Sequence, residues 1–212
     1  MTKPTAEALK KPYLLIDTAN DTLSLAVIAD GKVLSSFSEA VFRDMAARLQ
    51  PEMQNVLQSA QMNWPELGGI LFNQGPGSFT SIRIGLAAAK ALELSLGLKV
   101  YGLNGMQALA HPHTGQGRDV TVLLEAVGTD IYTQSFDENG KPHADAITQS
   151  LPEALERAPV GSLFVGDTSN VNIEAKTATP MAFWQLFADG YAVFPAKAAY
   201  IRPLTYKKVA NQ

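Results

Sequence analysis

The sequence predicts an α/β fold in which mixed sheets are flanked by helices. Three observations carry that expectation. Three β-like runs follow one another near the start, before any helical period sets in. Strand-like and helix-like segments then alternate, as they do when helices pack on a sheet. After a polar, Gly- and Pro-containing stretch at 111–119 the strands begin again. With 212 residues, 46% of them apolar, the chain can bury a sizeable core as one large domain or two small ones.

Tyr13–Asp17 (YLLID) is a short apolar run ending in an acid, and Thr22–Ala29 (TLSLAVIA) begins with alternation and then turns apolar. Asp30-Gly31 follows, and Gly accepts the positive φ of a type I′ turn, so 32–38 should return as the second arm of a hairpin. The period then changes. Phe42, Met45, Leu49 and Met53, continued by Val56, Leu57 and Ala60, recur at helical spacing and predict an amphipathic helix over 41–60. Pro51 removes one backbone donor inside it. Gly69–Asn73 (GILFN) reads as a short buried strand and 74–79 (QGPGSF) as a tight loop. An Ala- and Leu-rich helix over 80–96 closes on Gly97, a natural C-cap. A strand at 99–103 and a short helix at 104–110 complete the first half.

In the second half, 120–127 and 131–136 are β-like, and Asn139-Gly140 marks a turn. Pro152 suits the first turn of a helix at 152–158. A strand at 162–166 and an aromatic-rich helix at 180–188 follow, and the tail at 200–208 is basic and broken by Pro203. No internal sequence repeat is evident, and the halves are only loosely alike in strand order.

Composition excludes several classes. Charged residues are 17%, too few for a disordered chain or a coiled coil. The formal charge of −3 gives no basic excess that would make the whole surface a polyanion binder, leaving room only for a local basic patch. With no Cys, disulfides, thiolate nucleophiles and zinc–thiolate sites are excluded. Residues 1–11 have no apolar centre, so they read as a flexible extension rather than a signal peptide. The most apolar stretch, 82–98, carries Arg83, Lys90 and Glu93 and does not suit a bilayer, so a cytoplasmic location is expected.

The segment Gly75-Pro76-Gly77-Ser78-Phe79-Thr80 is the most informative for chemistry. Ser78 or Thr80 can cap the following helix, and the N–H groups there can hold an anion. Neither the dinucleotide fingerprint nor the phosphate loop of nucleotide triphosphatases fits, because Thr80-Ser81-Ile82-Arg83 stands where Gly or Gly-Lys-Ser/Thr is needed. A strand-to-helix turn with a cap is the simpler reading, and a positive φ at Gly77 would account for that glycine. Arg83, in the first turn of the helix, can bind an anion or pair with an acid. Asp17 and Thr18 end the first strand, where an acid can orient a metal-bound water or cap a turn. His111 and His113 form an H-x-H pair in a loop, and with His143 they make no helical zinc pair. No Gly-x-Ser-x-Gly elbow is present.

The runs YLLIDTANDTLSLAVIADGKVL and GPGSFTSIRIGLAAAKAL, with VGD at 165–167 and YIRP at 200–203, resemble the TsaB (YeaZ) family. These are accessory subunits of the bacterial machinery that makes threonylcarbamoyl-adenosine in transfer RNA. The resemblance implies a two-lobed actin-like ATPase-superfamily (ribonuclease H-like) fold. It divides the chain into the extension at 1–11, an N-terminal lobe at 12–115 and a smaller, degenerate C-terminal lobe with the tail at 116–212. The chain departs from the family pattern at Ser81, at Met45-Ala46 and at Glu125-Ala126-Val127, and the paired-His metal site of the related catalytic subunit has no counterpart. The resemblance therefore implies a non-catalytic subunit with no metal site, no catalytic residue and no cofactor of its own. Asp17 and Thr18 would be vestiges of a nucleotide site, and ATP and a metal would sit on the catalytic partner.

Its implied partners are a TsaD-type catalytic subunit and a TsaE-type ATPase, with tRNA reached through the complex and a homodimer when the chain is alone. The two N-lobe helices are the expected interface. Phe42, Met45, Leu49 and Met53 form a stripe on the first. Ile82, Leu86, Ala89 and Glu93, with Ala88 beside them, form one on the second. The alternatives are a peptidase-like hydrolase and a free-standing ATP-dependent phosphotransferase of the same fold.

Overall fold

β1 (Tyr13–Asp17), β2 (Thr22–Ala29), β3 (Lys32–Ala40), β4 (Gly69–Asn73) and β5 (Val100–Leu103) form one sheet in the order β3-β2-β1-β4-β5. A second sheet, in the order β10-β9-β6-β7-β8, is built from β6 (Val120–Glu125), β7 (Asp130–Phe136), β8 (Ile147–Ser150), β9 (Leu163–Gly166) and β10 (Ile173–Glu174). Read from its other end, the second order repeats the first. Each sheet is an antiparallel meander of three strands followed by two strands parallel to the first. This is the two-lobed, actin-like arrangement that the resemblance implies. The computed structural model describes residues 3–41, 43–126, 128–199 and 201. Phe42, Val127, Tyr200 and 202–212, and with them most of the YIRP tail, lie outside the described residues.

The lobes agree more closely in strand order than the sequence suggests. β8 (ITQS) and β10 (IE) complete the match, and both are too short and too polar to announce themselves as strands. The Asp30-Gly31 turn takes φ of 48° and 69°, as the hairpin requires.

Helices fill three layers. α2 (Met45–Ser59) and α3 (Phe79–Leu96) lie on one face of the first sheet, where their apolar sides meet Leu14, Ile16, Leu23, Leu25 and Phe72. α4 (Gly105–Ala110) and α6 (Pro180–Asp189) lie between the sheets. There α6 buries Phe183, Trp184, Leu186 and Phe187, and a helix apolar on all sides is one enclosed on all sides. The short α5 (Leu151–Arg157) covers Leu123 and Ile131 on the outer face of the second sheet.

Two boundaries differ from expectation. Part of the 1–11 extension is folded: Ala6–Lys10 form α1, capped by Thr5. Its Leu9 packs on the core between the sheets and accepts a hydrogen bond from the Asp30 N–H at 3.0 Å. The segment 116–212 is not one lobe either, because α6 packs on β2, β3, β4 and β5 of the first sheet. Val193 and Gly102 then exchange backbone hydrogen bonds at 2.8 and 2.9 Å, so the chain runs back along β5. The physical reason is area: the inner face of the first sheet is apolar and α6 is the helix that covers it.

Candidate functional site

β1 and β4 are parallel neighbours with Ile16 opposite Phe72, so the polar residues that end them, Asp17 and Asn73, emerge side by side. Asn73 Nδ2 donates to Asp17 Oδ1 at 2.9 Å, and the Ala19 N–H donates to the same oxygen at 3.0 Å. Asp17 Oδ2 is buried and has no hydrogen-bond partner among the described residues. Burial pushes the Asp17 carboxyl up to about 6, against the smaller downward pull of the Ala19 N–H and the Asn73 amide. Asn73 Oδ1 accepts the Gly75 N–H at 2.9 Å, and the carbonyl of Gly75 accepts the Gly105 N–H at 3.0 Å. Asn73 thus ties β1, the loop after β4 and the start of α4 into one knot. Sequence reasoning missed it, although a polar residue closing an apolar run is the same signal in GILFN as in YLLID.

The Gly75–Thr80 loop is pinned to this knot. Gly75 holds φ of +101°, and Gly77 is not in the left-handed region. The expectation of positive φ at Gly77 is therefore corrected, and close approach is the reason for that glycine. A Cβ there would stand 1.9 Å from the Ala19 carbonyl oxygen, which accepts the Ser78 N–H at 2.6 Å. Ser78 is the N-cap of α3, its hydroxyl accepting the Ser81 N–H at 3.4 Å. Thr18 donates to the Ser81 carbonyl at 2.8 Å. Gly85, one turn on, lies so close that a Cβ there would meet Thr18 Oγ1 at 2.3 Å. Thr80 and Arg83 do not join the knot but are exposed on α3, with the Arg83 guanidinium 3.8 Å over the Phe79 ring.

The second lobe bridges its equivalent strand ends in the same way. Asp167, just after β9, accepts the Glu125 N–H at the end of β6 at 2.7 Å. Between the lobes, Asn20 donates to the Lys176 carbonyl at 3.0 Å and Asn104 to Gln134 at 2.8 Å. The three histidines do not converge. His111 contacts Asp189 at 3.1 Å, His143 contacts Asp119 at 2.9 Å, and burial next to Arg118 lowers the His113 pKa. Among the described residues no group of three or more His, Asp or Glu is placed to hold a metal ion.

The expected interface stripes require correction. Met45, Leu49 and Met53 are buried at 3–4% exposure against the chain's own first sheet, and Ile82 and Ala89 are buried with them. Leu86, Ala88 and Glu93 are half-buried, and Glu93 pairs with Lys90 at 2.6 Å. Periodic apolar residues on a helix mark the side that faces the core, and these residues are that side. The exposed side of α3 is the opposite stripe, Thr80, Arg83, Ala87, Ala91 and Leu94, spaced three or four residues apart. Leu94 is 90% exposed at its end. No helix among the described residues is long and apolar enough to cross a membrane.

A family model described as TsaD, tRNA N6-adenosine threonylcarbamoyltransferase, matches residues 37–173, more than half of the chain. The chain is 30% identical over 136 residues to the tRNA threonylcarbamoyladenosine biosynthesis protein TsaB of Escherichia coli, covering 62% of this chain and 58% of that protein. Against the TsaB protein of Bacillus subtilis the identity is 27% over 163 residues, 74% of this chain and 71% of the relative. Against that of Buchnera aphidicola it is 36% over 97 residues, 46% of each. The match thus spans about half the length of the Escherichia coli and Buchnera proteins. Two solved structures from Pseudomonas aeruginosa share the fold. One, described as similar to the peptidase YeaZ, superposes with a TM-score of 0.72 at 20% identity, covering 91% of this chain and all of the other. The other, YeaZ, gives 0.68 at 20% identity over 86% and 95%.

Proposed function

Because the chain belongs to the TsaD family of tRNA N6-adenosine threonylcarbamoyltransferases, among its TsaB (YeaZ) members, we propose that it is a non-catalytic accessory subunit of that modification. In this reading it docks on a TsaD-type catalytic subunit in the cytoplasm, and a TsaE-type ATPase and the tRNA join through the complex. ATP and a metal ion belong to the catalytic partner, and a second copy of the chain occupies the docking face when the partner is missing.

The observation that carries the reading is the outward stripe of α3. Thr80, Arg83, Ala87, Ala91 and Leu94 leave one side of an 18-residue helix open along its length. The methyl groups of Ala87 and Ala91 permit close approach of a second helix, and Leu94 offers an apolar anchor. The strand-end knot supports the non-catalytic part. Its backbone N–H groups at Ala19, Gly75 and Ser78 are taken by the chain's own oxygens, which leaves them unavailable to a phosphate.

The test is reconstitution. Purified catalytic-type subunit, ATPase and unmodified tRNA are assayed for threonylcarbamoyl transfer with and without this chain. Transfer that depends on the chain, with no ATP or peptide hydrolysis by the chain alone, is the expected result. Turnover by the isolated chain that Asp17→Ala abolishes would favour the hydrolase or phosphotransferase alternative.

A further inference from the structure

We propose that the starting ends of β1, β4 and β5, with Phe194 beside them, form a contact surface for unpaired RNA. Four observations converge there. A ladder of rings leads outward from the core: Trp184 to Tyr13 at 5.9 Å between centroids, Tyr13 to Phe187 at 4.8 Å, Phe187 to Tyr101 at 5.0 Å and Tyr101 to Phe194 at 5.9 Å. Its last ring, Phe194, is 53% exposed although a large apolar side chain gains by burial. Lys99 Nζ stands 5.8 Å from the centroid of that ring. Lys11 lies on the other side of Gly68-Gly69: a Cβ on Gly68 would meet Lys11 Cβ at 2.7 Å, and one on Gly69 would meet the Lys99 carbonyl at 3.0 Å.

The two lysines therefore flank a strip that carries no side chain of its own. Neither has an ion-pair partner among the described residues. The nearest acid in sequence, Glu66, is engaged by the N–H and side chain of Asn63 at 2.7 and 3.2 Å. A rigidly backed exposed ring next to two uncompensated ammonium groups is the chemistry that holds single-stranded nucleic acid. The ring stacks on a base and the lysines meet the flanking phosphates. An apolar protein partner would cover Phe194 but leave both charges unanswered. The chain's overall charge of −3 makes the effect local. The inference rests on the accessory-subunit reading only in taking tRNA as the natural RNA.

The experiment is fluorescence anisotropy on the full chain with labelled single-stranded RNA of about 12 nucleotides and with an unmodified tRNA transcript. Titrations are run at about 50 and about 200 mM salt. Phe194→Ala should weaken binding of the single strand about five- to hundredfold, while Phe194→Tyr, which keeps the ring, should retain it. Lys11→Glu with Lys99→Glu should lower affinity and flatten the salt dependence by roughly one unit of log–log slope. Phe194 is exposed, so these proteins should keep the wild-type circular dichroism. Absence of RNA binding by the wild type at the lower salt, or equal affinity of wild type and Phe194→Ala, would overturn the proposal. Loss of the catalytic-type subunit by Phe194→Ala with RNA binding unchanged would also overturn it, making Phe194 a protein contact while the α3 reading stands.

Discussion

The side-chain amide of Asn73 donates to Asp17 Oδ1 across 2.9 Å, while Oδ2 of the same buried carboxyl meets no partner among the described residues. Stability should therefore depend on pH through Asp17. Its folded pKa of about 6 lies above the ordinary 3.8, so the carboxyl favours its neutral form in the fold. The stability this contributes is fully present below about pH 4 and is lost as pH rises through about 6, on the order of 3 kcal/mol by pH 8. Asp17→Asn, neutral at every pH, should match the wild type near pH 4 and unfold at a higher temperature at pH 8. Melting curves recorded across that range check it, and a constant offset between the two proteins would mean that Asp17 does not titrate with folding.

Gly77 is expected to resist every substitution, for reasons of space and not of φ. The Cβ of Gly77→Ala would overlap the Ala19 carbonyl oxygen, which must then move and strain the Ser78 hydrogen bond. A loss of about 2–4 kcal/mol is expected in denaturant titrations. Gly97→Ala serves as the control, because nothing lies within 4 Å of its Cβ and its cost is only that of the left-handed φ of 68°. Equal midpoints for Gly77→Ala and the wild type would remove the close approach from the explanation.

The buried face of α2 should report on folding and not on assembly. Leu49→Ala is expected to cost about 2–5 kcal/mol, and Met45→Glu, which places a charge against the sheet, to prevent folding. Circular dichroism and light scattering separate the cases. A folded Met45→Glu protein that fails only to associate would return this residue to the surface.

Much of the fold is legible in the sequence because its strongest signals are local. β1, β2 and β4 follow from unbroken apolar runs closed by polar residues, and the hairpin from Asp30-Gly31. What local signals do not carry is pairing. The matching order of the second sheet depends on β8 and β10, six residues in all, which become strands only because β7 and β9 offer them edges. The return of α6 to the first sheet is likewise a matter of complementary area. At the site, Asp17 and the Gly75–Thr80 loop stand out by residue type, but Asn73 gains its role from the parallel register of β1 and β4. The faces of α3 show the same limit: Ile82, Leu86 and Ala89 share a helical stripe whether it faces a sheet or a partner, and only the placement of the sheet decides.

The most direct measurement is the affinity of the purified chain for a TsaD-type catalytic subunit, by calorimetric titration, with Ala91→Arg and Leu94→Glu on the open face of α3. Both positions are exposed, so both variants should keep the wild-type fold. Each is expected to weaken the complex by about tenfold or more, through steric clash at Ala91 and a lost apolar anchor at Leu94. Folded variants that bind the catalytic-type subunit with wild-type affinity would contradict the docking role of this face.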